Sequence, residues 1–172
     1  MKPSEHPEFF RLPPPEGRSR ESTIVLDREG RFLHDGALVT HPGMAKAFSS
    51  WIARHPDDGR FILNNGYDWT YFRVEDAPFQ VVSLLFSGEP ERAEGVSLEL
   101  SDGTYEPFDP AQLRSSEDGS LYTVVKNGMF EARFSRSAQL SLAPLLREDE
   151  SGSLYLEILE KREPLPVRAR KA

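Results

Sequence analysis

Cysteine is absent from this chain, which excludes disulfides, thiolate metal sites and cysteine nucleophiles together. Long apolar runs are missing too. The longest candidate, Val81-Val82-Ser83-Leu84-Leu85-Phe86, has the length of a buried strand and falls far short of the ~20 residues that span a bilayer. Histidine is scarce: His6, His34, His41 and His55 are the four in the chain, and no pair has the i, i+4 spacing of a helical zinc site. No Gly-x-x-x-x-Gly-Lys or Gly-x-Gly-x-x-Gly run offers a phosphate cradle, and no Gly-x-Ser-x-Gly elbow presents a serine nucleophile. Positive charge is in deficit, with 21 Lys and Arg against 28 Asp and Glu for a net charge of −7. The basic residues are mostly interleaved with acids, as in Arg28-Glu29, Glu91-Arg92 and Glu160-Lys161-Arg162-Glu163. A nucleic-acid groove needs a local basic excess, so no nucleic-acid partner is expected. Residues 1–7 are too polar and proline-rich for a secretion signal. A cytoplasmic protein without membrane insertion, metal or cofactor is the expectation.

What is present suits a strand-rich protein. At 172 residues, 38% hydrophobic and 28% charged, the chain is long enough for one domain or two small ones. Residues 1–22 carry Pro3, Pro7, Pro13, Pro14 and Pro15 and read as a disordered tail, with Phe9, Phe10 and Leu12 as the side chains able to dock on the body. Strand and turn signals begin near Ser22. Asp27-Arg28-Glu29-Gly30 and Asp35-Gly36 are turns. Pro42 then opens a helix in which Met44, Ala47, Phe48, Trp51 and Ile52 form one apolar stripe, and Pro56 closes it. His55 falls at that helix end. From residue 57 onward the pattern is strand and turn, apart from residues 139–146, which fit a strand or a short helix.

An internal repeat is visible. Asp58-Gly59 followed by Arg60-Phe61-Ile62-Leu63 and Asn65-Gly66 has a counterpart in Asp118-Gly119, Ser120-Leu121-Tyr122-Thr123 and Asn127-Gly128. Beyond the Asn-Gly steps, Thr70-Tyr71-Phe72 lines up with Ala132-Arg133-Phe134, so Arg133 corresponds to Tyr71. Ser151-Gly152-Ser153-Leu154-Tyr155 echoes the unit once more.

These patterns predict an α+β protein dominated by antiparallel β-structure, with two related strand-rich subdomains and one helix in the first. The predicted segments are a tail over 1–22, subdomains over 23–94 and 95–166, and a basic, solvated tail over 167–172. Residues 87–95 are polar and read as a loop or linker. Within NNGYDWTYFRVEDAPF, residues 64–79, strand alternation puts Thr70, Phe72 and Val74 on one face and Trp69, Tyr71, Arg73 and Glu75 on the other. The first set is an ordinary core face. The second suits either internal cover or a partner, because Trp, Tyr and Arg dominate interface hot spots. Trp69, Tyr71, Arg73, Glu75 and Arg133 are therefore the candidate binding residues, lining a cleft between the halves for a peptide, a protein or a small polar ligand. Acidic pairs such as Asp57-Asp58 and Glu75-Asp76 mostly flank glycine turns, where carboxylates serve the backbone. The rival reading is a metal-free hydrolase using two carboxylates such as Glu75.

Asp58-Gly59-Arg60-Phe61-Ile62-Leu63, Val74-Glu75-Asp76-Ala77-Pro78-Phe79 and Glu131-Ala132-Arg133-Phe134-Ser135-Arg136 resemble a bacterial group, domain-of-unknown-function family 1285, over roughly residues 23–165. The resemblance implies a duplicated strand-rich architecture with a pleckstrin-homology-like second half. It also implies a ligand- or partner-binding role in bacterial signalling, with no assigned catalytic residues.

Overall fold

Aspartate–glycine turns decide where the strands reverse. The structure, a computed structural model, describes residues 1–158 and 161–168. Asp27 accepts hydrogen bonds from the amides of Glu29 (3.0 Å) and Arg31 (2.8 Å). Asp58 does so from Arg60 (2.9 Å) and Asp118 from Ser120 (3.0 Å). Gly59 and Gly119 follow at φ 71° and 80°, a region closed to most side chains. Short polar side chains thus take over the backbone donors that a tight turn leaves unpaired.

Between these turns lie two sets of six strands. In the first, β1 (Glu21–Leu26), β2 (Phe32–His34) and β3 (Ala37–Leu38) form a meander, α1 (Pro42–Ser50) follows, and β4 (Ile52–Arg54), β5 (Phe61–Asn64) and β6 (Trp69–Val74) form another. Their order in the sheet is β3-β2-β1-β6-β5-β4, with β1 and β6 parallel and the neighbours on either side antiparallel. The second set comprises β7 (Phe79–Ser87), β8 (Gly95–Leu100), β9 (Tyr105–Pro107), β10 (Arg114–Ser115), β11 (Leu121–Val125) and β12 (Phe130–Phe134). Its order is β10-β11-β12-β7-β8-β9, again with the first and sixth strands parallel. A single 3-10 turn, Pro110–Gln112, stands where the first unit has α1.

The repeat is therefore a pair of three-stranded meanders joined through a parallel first-to-sixth contact. Register agrees with the sequence alignment: Ile62 faces Tyr71 in the first unit and Tyr122 faces Arg133 in the second. The second unit continues into α2 (Arg136–Leu142) and a small sheet of β13 (Leu146–Glu148), β14 (Leu154–Ile158) and β15 (Lys161–Pro164). The echo at residues 151–155 is the turn of that small sheet, built on Asp149, and is not a third copy.

Both faces of the first sheet are covered. On one, Phe32 meets Phe48 of α1 edge-on at 5.3 Å, and Phe72 packs with Phe32 and Phe61. On the other, Ile62 and Trp69 are buried with Phe9, and Phe10, Ala53 and Tyr71 pack around them. In the second unit Phe130, Ala132 and Phe134 are buried from β12, as alternation predicts, along with Phe79, Val81, Leu98 and Leu100.

Four expectations are corrected. Residues 1–22 do not form a disordered tail: Pro3–Glu5 and Phe9–Arg11 are 3-10 turns, and Phe9 is 6% exposed. Proline and polar residues lower the local drive to fold, but two adjacent phenylalanines find a preformed apolar face. The boundary between the halves lies at Pro78–Phe79 rather than at 94–95. β7 ladders with β8 and β12, so residues 88–94 are a hairpin connection inside the second unit. The helix ends at Ser50, because Ile52 pairs with Leu63 in a ladder; His55 thus follows a strand, and Trp51 is half-buried at the helix C-cap. Lastly, the predicted solvated tail of 167–172 includes Arg168, which is docked on the second sheet; 169–172 lie outside the described residues.

Candidate ligand-binding face

Period two along β6 places Trp69 and Tyr71 on the sheet face opposite α1. Trp69 is 6% exposed and meets Tyr71 edge-on at 5.1 Å. His55, carried just beyond β4 and buried, completes the aromatic floor at 4.9 Å from Trp69 and 5.6 Å from Tyr71. Its Nδ1 accepts from the Asp57 amide (3.2 Å), so its Nε2 carries the proton and donates to the Phe10 carbonyl (3.3 Å).

Charged groups rim this floor. The Arg60 guanidinium lies 3.7 Å from the Tyr71 ring centroid and grips Glu21 through two nitrogens at 2.8 and 2.9 Å. That fork holds the Glu21 carboxyl below its ordinary pKa. The Tyr71 hydroxyl donates to Asp58 at 2.7 Å, which lowers the Asp58 pKa. Desolvation first, and then the same bond, raises that of Tyr71. Arg11 forks onto Asp57 at 3.0 and 3.1 Å and lowers its pKa. Arg20 stacks on Trp69 at 4.5 Å and reaches Asp68 at 2.6 Å.

The structure separates the five sequence candidates. Trp69 and Tyr71 are neighbours on this face. Arg73 and Glu75 pair with each other at 3.3 Å at the exposed end of the strand. Arg133 belongs to the second unit, where it donates to Ser120 at 2.8 Å. Phe9, Phe10, His55, Asp57, Asp58 and Arg60 join the site without having been chosen from sequence. The signal for the first two is an aromatic pair in an otherwise polar, proline-rich run; the signal for the acids is their place in the repeated Asp-Gly turn.

Open cavities lie beside the sheets. One, of about 400 Å³ in the first unit, is walled by Arg18, Ser19, Arg20, His34, Asp35 and Trp69 among others. Another, of about 650 Å³ in the second unit, lies beside the turn between β11 and β12. In that turn Lys126 and Asn127 adopt φ 55° and 57°, and the Lys126 ammonium is held by Asp102 (2.7 Å) and Thr104 (2.6 Å).

A crystal structure of a DUF1285 family protein from Silicibacter pomeroyi DSS-3 superposes with a TM-score of 0.66 at 22% identity, over 86% of this chain and 81% of that one. This chain has the DUF1285 fold. A second DUF1285 family protein, from Shewanella baltica OS155, gives a TM-score of 0.52 at 23% identity, over 69% of this chain and 87% of that one. No family model and no curated protein matches the chain. At 22–23% identity the likeness is one of fold, and the duplicated strand-rich plan is read from this chain's own two sheets. No described helix is long and apolar enough to cross a membrane.

Proposed function

We propose that the protein is a non-enzymatic binding module whose ligand is a peptide or protein segment, taken up on the Trp69–Tyr71 face of the first unit. One observation carries this reading: the face already holds a short segment of chain by the means a peptide site uses. Phe9 is sunk on Ile62 and Trp69, His55 bonds the Phe10 carbonyl, and Asp57 takes the Arg11 fork. Aromatic anchors with polar groups placed around them are the usual make-up of a binding hot spot. A role in bacterial signalling, which the family resemblance implies, would use this face.

Carboxyl chemistry favours binding over the rival hydrolase. At Glu21, Asp57, Asp58, Asp102 and Asp149 the carboxyl pKa is displaced downward. A carboxylic general acid is instead tuned upward by its surroundings. Glu75, the hydrolase candidate, stands beside Arg73.

The test is a thermal-shift screen of the full chain against a short-peptide panel, with a Tyr71→Ala variant alongside. A peptide at ~100 times its dissociation constant adds about 2.7 kcal/mol, which raises the melting point by several degrees. The expected result is a shift that the folded variant loses. A shift that survives Tyr71→Ala puts the site elsewhere and overturns the assignment.

A further inference from the structure

Resting on that reading, we infer that the peptide class recognised is two consecutive aromatic residues followed by arginine, and that Phe9-Phe10-Arg11 is a tethered competitor occupying its site. The segment behaves as a ligand and not as an element of the sheet. None of residues 1–19 joins a β-ladder. It is held instead by a ring in a hydrophobic seat, one carbonyl on His55, one arginine fork on Asp57, and the Ser4 amide on the Gly66 carbonyl at 3.1 Å.

Trp69 meets both rings of the segment, and a separate acid meets its arginine. Phe9 packs edge-on to Phe10 at 5.1 Å. Phe10 sits 5.9 Å from His55 and 6.1 Å from Trp69. Arg11 meets an acid that the Asp57-Asp58 turn presents, and a planar fork suits that carboxylate better than a lysine would. Behind the segment come Pro13, Pro14 and Pro15, tied back by two long bonds of 3.4 Å from Arg20 to the Leu12 and Pro13 carbonyls. A proline-rich connection is a semi-rigid tether.

The occupant is also imperfect. Trp69 Nε1 is buried and has no hydrogen-bond partner with the segment in place. An indole N–H is a donor only, so a peptide that supplies an acceptor there satisfies what the chain's own residues leave open. Such a peptide has an advantage over Phe9-Phe10-Arg11. A tethered competitor works at a local concentration of order millimolar, which screens out weak ligands and admits stronger ones.

The experiment uses the full chain and a fluorescein-labelled peptide of residues 5–13, EHPEFFRLP, read by anisotropy. The wild type is compared with the triple variant Phe9→Ala/Phe10→Ala/Arg11→Ala. The expected result is binding to the variant about tenfold or more tighter than to the wild type, with Asp57→Asn in the variant background weakening it again. Equal affinities overturn the competitor while leaving the binding module standing. A folded variant that ignores this peptide, yet binds other panel peptides through Tyr71, overturns the ligand class alone; if it binds none of them, the proposed function falls with it. Should the triple variant fail to fold, Arg11→Ala replaces it, since that side chain is half-exposed. Severalfold tighter peptide binding by Arg11→Ala, with faster amide exchange over Phe9–Arg11, supports the inference. Unchanged affinity overturns it.

Discussion

The two units place the same strands in the same order and close the equivalent face with different chemistry. In the first, Ile62, Trp69 and Tyr71 form that face, and the N-terminal Phe9 covers it. In the second, register puts Tyr122, Glu131 and Arg133 at the matching positions. There the C-terminal segment approaches: Arg168 lies 3.8 Å from the Tyr122 ring centroid and forks onto Glu131. Its backbone adds to the β10 edge, with the Arg168 amide on the Ser115 carbonyl at 2.7 Å and the Ser115 amide on the Pro166 carbonyl at 3.0 Å. One repeat is thus sealed by a buried ring with an arginine fork at its rim, and the other by a stacked arginine, its ion pair and a strand edge. The lesson is physical. A duplicated backbone fixes where a face lies, while side chains at two or three register positions decide what can cover it. A ring in an apolar seat is held without directional bonds; an arginine fork needs both nitrogens aligned.

The comparison is sharpened by removing each cover. Phe9→Ala has the largest expected effect, about 3 kcal/mol or more for a buried ring, measured by urea unfolding. A loss under about 0.5 kcal/mol, the size of an ordinary surface change, would mean the segment contributes no packing. Arg168→Ala comes next. Its side chain and that of Glu131 are 17% and 23% exposed, so losing the fork costs roughly 2 kcal/mol, below the figure for a fully buried pair. If Arg168→Ala proves more damaging than Phe9→Ala, the contrast between the two covers is reversed.

Acid should loosen the cover of the first unit before its sheet. Glu21, Asp57 and Asp58 have folded-state pKa values depressed by Arg60, Arg11 and Tyr71. Their contribution is fully present above the unfolded values of about 4 and is lost as pH falls through the folded ones. Asp57 is the acid that holds Arg11, so amide exchange over Phe9–Arg11 should quicken below about pH 4 before β6 opens. Exchange that stays slow until global unfolding would show that the rings alone hold the segment.

Tyr71→Phe has the smallest effect and tests the position where the repeats differ. The ring stays, the bond to Asp58 goes, and the melting point should move by no more than a few degrees. Tyr71 has a raised folded pKa, so its contribution is complete below about pH 10 and vanishes as pH rises through the folded value. Alkaline destabilisation should therefore weaken in Tyr71→Phe, and an unchanged profile would remove the Tyr71–Asp58 bond from the account.

Much of the fold was legible in the residues. Asp-Gly turns declare themselves because they satisfy local backbone donors, and the alternation of Phe130, Ala132 and Phe134 marks a buried face by period two. The repeat could be aligned to the residue, so that Arg133 falls where Tyr71 does. The candidate site was legible in part. Alternation separated Trp69 and Tyr71 from the core face of Phe72, but it could not say what lies over them. His55 was assigned to a helix end because Pro56 looked like a helix stop; the β-branched Ile52 had already left the helix to pair with Leu63. The polar run 87–95 reads as a linker because a hairpin connection and an interdomain linker share a composition.

By itself the sequence determined most strands, the turns, the repeated strand–turn unit and the amphipathic face of β6, since each rests on interactions between residues close along the chain. Tertiary structure alone decided which segment covers each face. Phe9 and Ile62 stand 53 positions apart, and Arg168 and Glu131 stand 37. Contacts at that separation repay the entropy of closing a long loop only when a complementary surface is already in place, and no local pattern records that the surface exists.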